Sequence, residues 1–317
     1  MNSPGPVISA EQLAIWLGFI GSAEMKPSSV VVVDCRFSLA EPDLGRSQYA
    51  AGHIPSAFYL DLNRDLSHAA PPGTLGGRHP LPDLEVFAVK LQSLGIGPKT
   101  WLVAYDDSHF AFSARLWWML RYLGHERVAV LDGGWKEWVS RAYPVSEEDP
   151  TPSQAAIPPQ ARPQPNQLNI RQNSSWVVDR KAVKKLSFEL TNAAALAAEG
   201  SPSSSKAVLI DSRSPARYRG EEEPIDPIAG HIPGAQNCFW KEVTDERGMA
   251  HSWPEQRTRW QSVTDSGPAE IWVYCGSGVT ACVNLLSLEL AGFNNSKLYI
   301  GSWSDWCAAG EAISGAP

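Results

Sequence analysis

One short stretch of this chain combines a nucleophile with the means to activate it. In VYCGSGVTACVN, residues 273–284, Cys275 stands between a short apolar run and a Gly-Ser-Gly turn, and small and apolar residues resume directly afterwards. With IWVYC read as a strand and TACVNLLSLELAG as a helix, residues 276–279 form a tight loop leading into a helix N-terminus. Gly276 and Gly278 are free to take positive φ and to leave backbone N–H groups facing inward. A nest of such N–H groups, together with the helix dipole, stabilises an anion, here the thiolate that is the nucleophilic form of cysteine. Nucleophilic catalysis through a covalent sulfur adduct is the chemistry this arrangement suits. The competing reading is a buried cysteine that ends a core strand and only fills space. Position alone does not separate the two.

The other cysteines carry no comparable surroundings. Cys35 lies in VVVDCR, Cys282 within the helical pattern, and Cys238 and Cys307 in stretches without a motif, so all four read as packing residues. Five cysteines with no Cys-x-x-Cys pair follow neither a disulfide framework nor a zinc pattern, and reduced thiols with no metal and no cofactor are expected. A cysteine phosphatase would need an arginine six positions after the nucleophile to clamp phosphate; that position is Ala281, which speaks against phosphate-ester chemistry.

The elements that must position Cys275 come as a tandem repeat. VVVDCR at 31–36 returns as VLIDSR at 208–213, AGHIP at 51–55 returns unchanged at 229–233, and GGWKEW at 133–138 returns as GSWSDW at 301–306. Short β-branched runs (SVVVVD, WLVAYD, RVAVLD, AVLID, IWVYC, KLYIG) have the length of buried parallel strands. The helical patterns SARLWWMLRYLG (113–124) and TACVNLLSLELAG (280–292) each follow a strand and end at a glycine. The expected fold is α/β: two tandem domains, each a mainly parallel sheet flanked by helices, with ligands at the carboxyl ends of the strands. The expected boundaries are 7–145 for the first domain, 146–175 for a Pro-rich linker and 176–313 for the second.

The repeat also supplies an internal control. Aligning WLVAYD with WVYC sets Asp106 opposite Cys275, and the DSHFAF that follows has no glycine to shape an anion-binding loop. The first copy is therefore expected to be inactive and the second catalytic. His53 and His231 recur in both halves and read as structural turn residues, as do Asp34, Arg36, Asp211 and Arg213; Trp135, Trp138, Trp303 and Trp306 read as core aromatics.

Composition narrows the partners. A formal net charge of −7, with Lys and Arg dispersed, gives no electrostatic basis for binding nucleic acid. No apolar run approaches the roughly 20 residues that span a bilayer. MNSPGPVISAEQ lacks the features of a secretory or transit segment, so a cytoplasmic location and small-molecule or protein partners are expected.

The tandem Asp-x-Arg, Gly-His-Ile-Pro and Gly-x-Trp-x-x-Trp landmarks, with CGSGVTA at 275–281, resemble the two-domain rhodanese superfamily, in particular the 3-mercaptopyruvate sulfurtransferases. The resemblance implies a sulfurtransferase in which a cysteine of the second domain takes sulfane sulfur from a donor as a persulfide and passes it to a nucleophilic acceptor such as thioredoxin or a small thiol. It implies that Cys275 is the persulfide-forming residue, that Ser277 shares in catalysis, and that Gly276, Gly278, Val279 and Thr280 complete the loop around the sulfur. It also implies that Arg217 in SPARYRGEEEP holds the donor carboxylate, with Arg219 the next candidate, and that His79 in GRHPLPD pairs with the loop serine. Two features depart from the family's pattern. GEEEPIDPIAGHIP contains no second clamp arginine, and the acid position of the Ser-His-Asp arrangement holds Asn63, with Asp61 and Asp65 nearby. Thiosulfate is the alternative donor, but the neutral residues after Cys275 suit that dianion less well. A sulfur carrier without catalysis is the non-enzymatic alternative.

Overall fold

The structure is a computed structural model that describes residues 4–21, 26–150, 171–198, 207–264 and 270–315. The expected linker lies outside the described residues over 151–170.

The β-branched runs form strands because neighbouring parallel strands bury both of their faces, where stiff side chains lose little further entropy. In the first half the strands are β1 (Val7–Ile8), β2 (Val30–Asp34), β3 (Phe58–Tyr59), β4 (Trp101–Tyr105) and β5 (Val128–Leu131). They pair in the order β1-β5-β4-β2-β3, all parallel. Parallel strands need crossovers, supplied here by α1 (Ala10–Leu17), α2 (Leu44–Ala51), α3 (Leu84–Ser93) and α4 (Ser113–Tyr122), and α5 (Gly134–Ser140) follows β5. Ser9 caps α1 by accepting from the Gln12 N–H, and the Asp83 carboxylate caps α3 by accepting from Glu85 and Val86.

The second half repeats the plan. Its strands are β6 (Val177–Val178), β7 (Ala207–Asp211), β8 (Gln236–Asn237), β9 (Glu270–Tyr274) and β10 (Ser296–Tyr299), ordered β6-β10-β9-β7-β8 and again all parallel. Its helices are α6 (Arg180–Ala198), α7 (Pro215–Arg219), α8 (Trp253–Gln261), α9 (Ala281–Leu290) and α10 (Ser302–Ala308). The four edge strands are two residues long each, too short for any periodicity to announce them.

Two compact units result. One comprises residues up to 68, 81–173 and 244–250; the other comprises 69–80, 174–243 and the chain from 251 on. Each has its own apolar core. Trp16, Val32, Val103, Leu131 and Trp138 lie in the first, and Leu209, Ile232, Tyr274, Trp303 and Trp306 in the second. Burying each such side chain is worth about 1.5–3 kcal/mol, and this packing, more than strand propensity, holds the sheets.

The repeated landmarks serve the same structural purpose in both units. Asp34 and Arg36 form a fully buried fork, with Arg36 4.5 Å over the Trp135 ring; Asp211 and Arg213 do the same, with Arg213 4.5 Å over Trp303. Each arginine also donates to a backbone carbonyl, of Gly52 or Gly230. His53 stacks on Tyr49 at 4.0 Å and His231 on Tyr218 at 3.9 Å, each through Nδ1 meeting that tyrosine's carbonyl. Trp138 and Trp306 donate their indole N–H groups to Pro144 and Ala312. The motif thus ties the end of a central strand to the following turn by buried, fully paired polar groups.

The topology also marks the strand ends at which folds of this kind take ligands. From β7 the chain passes through α7 to β8 on one side, whereas from β9 it passes through α9 to β10 on the other. The connections diverge at the carboxyl ends of these adjacent strands. Cys275 is the residue that follows β9.

Candidate active site

The backbone around Cys275 is held by three hydrogen bonds. Its N–H donates to Ser302 Oγ at 3.2 Å, its carbonyl accepts from the Trp303 N–H at 3.0 Å, and the Gly276 carbonyl accepts from Ser304 N–H at 2.9 Å. The start of α10 therefore grips the start of the loop. Ser302 takes φ +55°, a left-handed conformation that its side chain supports by donating to the Tyr299 carbonyl. Nothing in the sequence singled out Ser302; the available signal was that GGW of the first copy becomes GSW in the second.

The two loop glycines are needed for different reasons. Gly278 takes φ +75°, and a Cβ there would lie 2.3 Å from the Ile300 carbonyl oxygen, so both conformation and space demand glycine. This contact uses only the backbone of Ile300. Gly276 does not take positive φ, contrary to the expectation for it. Its lack of a side chain makes room for arginines instead: a Cβ there would lie 2.9 Å from Arg78 Nη2 and 3.5 Å from both terminal nitrogens of Arg217.

Cys275 is 2% exposed, Ser277 6% and Val279 5%, which makes the loop a dry one around the thiol. Thr280 is half-buried and stands at the N-cap of α9, but its side chain makes no capping hydrogen bond. Ser277 Oγ lies 2.7 Å from His79 Nδ1, and both belong to the second unit, because residues 69–80 pack with it. That segment is anchored by Gly76, whose N–H donates to Asp305 Oδ1 at 2.7 Å. Gly77 has φ +86° and sits where a Cβ would be 2.5 Å from the Gly301 carbonyl. Asp305 also accepts from Arg180 and from the Tyr299 hydroxyl, both at 2.6 Å.

Arg217 projects from α7, whose first turn Ser214 caps by accepting from the Arg217 N–H. Its guanidinium is largely buried and donates to both oxygens of Glu223, at 3.1 and 2.6 Å, and to Asp226 at 3.4 Å. Arg219 is exposed and pairs with Glu221 at the surface, not with the groups beside the loop. Sequence reasoning missed Arg78, which makes a two-point contact with the Asp226 carboxylate at 3.1 and 3.2 Å. Burial raises the Asp226 carboxyl above its ordinary range, while the Arg78 charge works in the opposite direction. Of the nearby acids named from the sequence, Asp61 accepts from the backbone of Asn63 and Arg64, and Asp65 pairs with Lys90, all within the first unit.

The remaining four thiols are also buried. Burial pushes Cys35 well above the usual thiol range, Cys238 to about 11 and Cys307 to about 12, and Cys282 donates into the carbonyl of Gly278. Cys35, Cys238 and Cys307 therefore stay protonated at neutral pH, and all four thiols act as packing. Among the described residues no cluster of three or more His, Cys, Asp or Glu could hold a metal ion.

The same position in the first unit is built differently. Asp106 follows β4 as Cys275 follows β9, and its carbonyl accepts from the Trp135 N–H at 2.9 Å. Its carboxylate accepts from the N–H groups of Ser108, Phe110, Phe112 and Ser113 and from the Ser113 hydroxyl, at 2.8–3.2 Å. An anion nest is formed there, shaped by His109 and Phe110 at φ +59° and +68° rather than by glycine, and the chain's own carboxylate fills it.

With this geometry in place, the comparisons with known proteins are direct. The rhodanese-like domain profile matches residues 22–141 and again 194–309. The chain belongs to the rhodanese family. This rhodanese-family protein is 38% identical, over 96% of its length and 95% of the relative's, to a Pseudomonas aeruginosa protein named "probable 3-mercaptopyruvate sulfurtransferase". It is 30% identical to the thiosulfate sulfurtransferase of Cricetulus griseus, over 82% of this chain and 79% of that one. Its fold superimposes on the crystal structure of SseA from Escherichia coli, a 3-mercaptopyruvate sulfotransferase, with TM-score 0.70 and 29% identity, over 95% of this chain and 99% of that one. No helix among the described residues is long and apolar enough to cross a membrane.

Proposed function

We propose that this rhodanese-family protein is a sulfurtransferase that takes the sulfur of 3-mercaptopyruvate onto Cys275 and passes it to a thiol acceptor. The observation that carries the reading is the juxtaposition of Cys275, at the head of a glycine loop, with a buried Ser277–His79 pair and the Arg217 guanidinium beside Gly276. Arg217 fits the carboxylate of a short 2-oxo acid, for which a planar fork is the suited donor.

In the first half-reaction the Cys275 thiolate attacks the donor sulfur. An S–S bond forms, the bond between sulfur and C3 breaks, and its electron pair leaves with the carbon as the enolate of pyruvate. Protonation of that carbon completes pyruvate, and the Ser277–His79 pair is the group placed to handle protons beside the loop. In the second half-reaction a nucleophile, such as a small thiol or a thioredoxin-like dithiol, attacks the outer sulfur and restores the Cys275 thiolate. The backbone N–H groups of the loop, with Gly276, Gly278, Val279 and Thr280, surround the anionic sulfur in both steps. The first unit, with Asp106 in its nest, takes no part in sulfur transfer.

Incubation with 3-mercaptopyruvate in the absence of reductant, followed by intact-mass and peptide mass spectrometry, tests the reading. A gain of about 32 Da on Cys275, with release of pyruvate, is expected. Absence of any adduct on that residue would sink it, and an adduct formed from thiosulfate but not from 3-mercaptopyruvate would move the assignment to the other donor.

A further inference from the structure

The segment between Arg219 and His231 contains no arginine, and Arg219 pairs with Glu221 at the surface, so of the two arginines named from the sequence Arg217 is the one at the loop. The structure brings another from far away in the sequence. We infer that Arg78 is a donor-binding residue: with Arg217 it forms a pair of guanidinium groups at Gly276, joined by Asp226, that grips the carboxylate of the sulfur donor. The inference rests on the reading of the site as one that takes a 2-oxo-3-sulfanyl carboxylate.

Three observations carry it. The first is proximity. A single added carbon on Gly276, the residue next to Cys275, would meet Arg78 Nη2 at 2.9 Å and Arg217 Nη1 and Nη2 at 3.5 Å, so the two guanidiniums share one spot on the loop. The second is preorganisation. Asp226, whose side chain is wholly buried, binds Arg78 through Nε and Nη2 and touches Arg217 through Nη2, while Glu223 takes Nε and Nη2 of Arg217. Both side chains are thereby locked before any donor arrives, which cuts the entropic cost of binding. The third is spare donor capacity. A guanidinium has five N–H groups, and the carboxylates use Nε and Nη2 of each, leaving Nη1 of Arg78 and Nη1 of Arg217 without a protein acceptor among the described residues. Two such nitrogens on two locked forks are what a carboxylate needs for recognition by charge-assisted hydrogen bonds.

The competing account is that the Arg78–Asp226 pair only fastens residues 69–80 to the second unit. The two accounts differ in what substitution changes. Arg78→Gln and Arg78→Lys are measured for steady-state turnover of 3-mercaptopyruvate, and for alkylation of Cys275 by iodoacetamide, a neutral probe, with and without pyruvate as a protecting carboxylate. The expected result for R78Q is a KM raised by about ten-fold or more, with kcat within about three-fold of the parent. Pyruvate protection is lost and alkylation without pyruvate keeps the parent rate. R78K, which keeps the charge without the fork, recovers part of the KM. Unchanged KM and unchanged protection in both variants would overturn the inference. So would a fall in kcat and in the alkylation rate with KM unmoved, the mark of a fastening role. If R78Q does not fold, R78K and Gly276→Ala, which crowds Arg78 from the loop side, carry the same measurements. A parent protein that fails to turn over 3-mercaptopyruvate yet shows Arg78-dependent protection by pyruvate removes the proposed reaction and leaves the anion site standing. Turnover with Arg78-independent KM and protection does the reverse.

Discussion

The hydroxyl oxygen of Ser277 lies 2.7 Å from Nδ1 of His79, a contact between residues 198 apart in the chain. It exists because residues 69–80 pack with the second unit, held by the Gly76 N–H on Asp305 and the close approach of Gly77 to Gly301. If the two side chains act as one proton-handling unit, removing either should cost about as much as removing both. Ser277→Ala and His79→Gln are each expected to lower kcat for persulfide formation by about a hundred-fold, and the double variant to be little worse. Rapid-quench measurement of pyruvate release checks this, and strictly multiplicative losses would show the pair to be two independent groups.

Gly276 and Gly278 are expected to respond oppositely to the same added methyl group. Gly278→Ala forces a side chain into φ +75° and against the Ile300 carbonyl, so it should lose about 2 kcal/mol of stability. The cysteine loop should lose its shape as well. Gly276→Ala is not at a positive φ and meets the terminal nitrogens of Arg78 and Arg217 rather than backbone, so it should cost less stability than Gly278→Ala and lose donor affinity instead. Urea denaturation alongside KM separates the two.

A cysteine placed at position 106 should not create a second active loop. The Asp106 carboxylate accepts four N–H groups and one hydroxyl, and a thiol cannot satisfy them. Asp106→Cys is expected to destabilise the protein by on the order of 3 kcal/mol, and to show no sulfur transfer when combined with Cys275→Ser. Asp106→Asn, which retains one carbonyl acceptor, should fall between this variant and the parent in a denaturant titration.

Stability should fall on mild acidification because of one buried and one half-buried histidine. Desolvation by burial holds both His125 and His231 below the ordinary histidine value of 6.5. The unfolded chain then binds protons in the interval where the folded one does not, so the contribution is complete above 6.5 and declines as pH drops through the folded values. The unfolding midpoint should decrease between pH about 7.5 and about 5.5, and His125→Gln combined with His231→Gln should flatten that slope. An unchanged slope in the double variant would assign the effect to other groups.

The central strands, the long helices and the duplication were all legible in the residues. Four adjacent valines at 30–33 and the buried pattern of WLVAY can satisfy their surroundings only between other strands, and Gly124 and Gly292 end α4 and α9 by turning left-handed. The two-residue edge strands were not legible, since two residues carry no period. At the site, the alignment of Asp106 with Cys275 followed from the repeat, and the structure supplied its physical content: a nest filled by the chain's own carboxylate after β4, and a thiol at the head of a glycine loop after β9. The role expected of Gly276 was misjudged, because a need for backbone freedom and a need for empty space leave the same letter in a sequence.

Local order along the chain thus determined the strand-loop-helix setting of Cys275, because hydrogen bonds between near neighbours and the alternation of apolar residues are written in short stretches. The resemblance already paired His79 with Ser277, but the contacts that hold distant groups at the loop were decided by tertiary structure. His79 comes from a segment fastened by Asp305, Ser302 from a turn with left-handed backbone, and Arg78 from opposite Asp226, 148 residues away. Such partners are chosen by burial and charge across folded surfaces, and no periodicity encodes which carboxylate a distant arginine will meet.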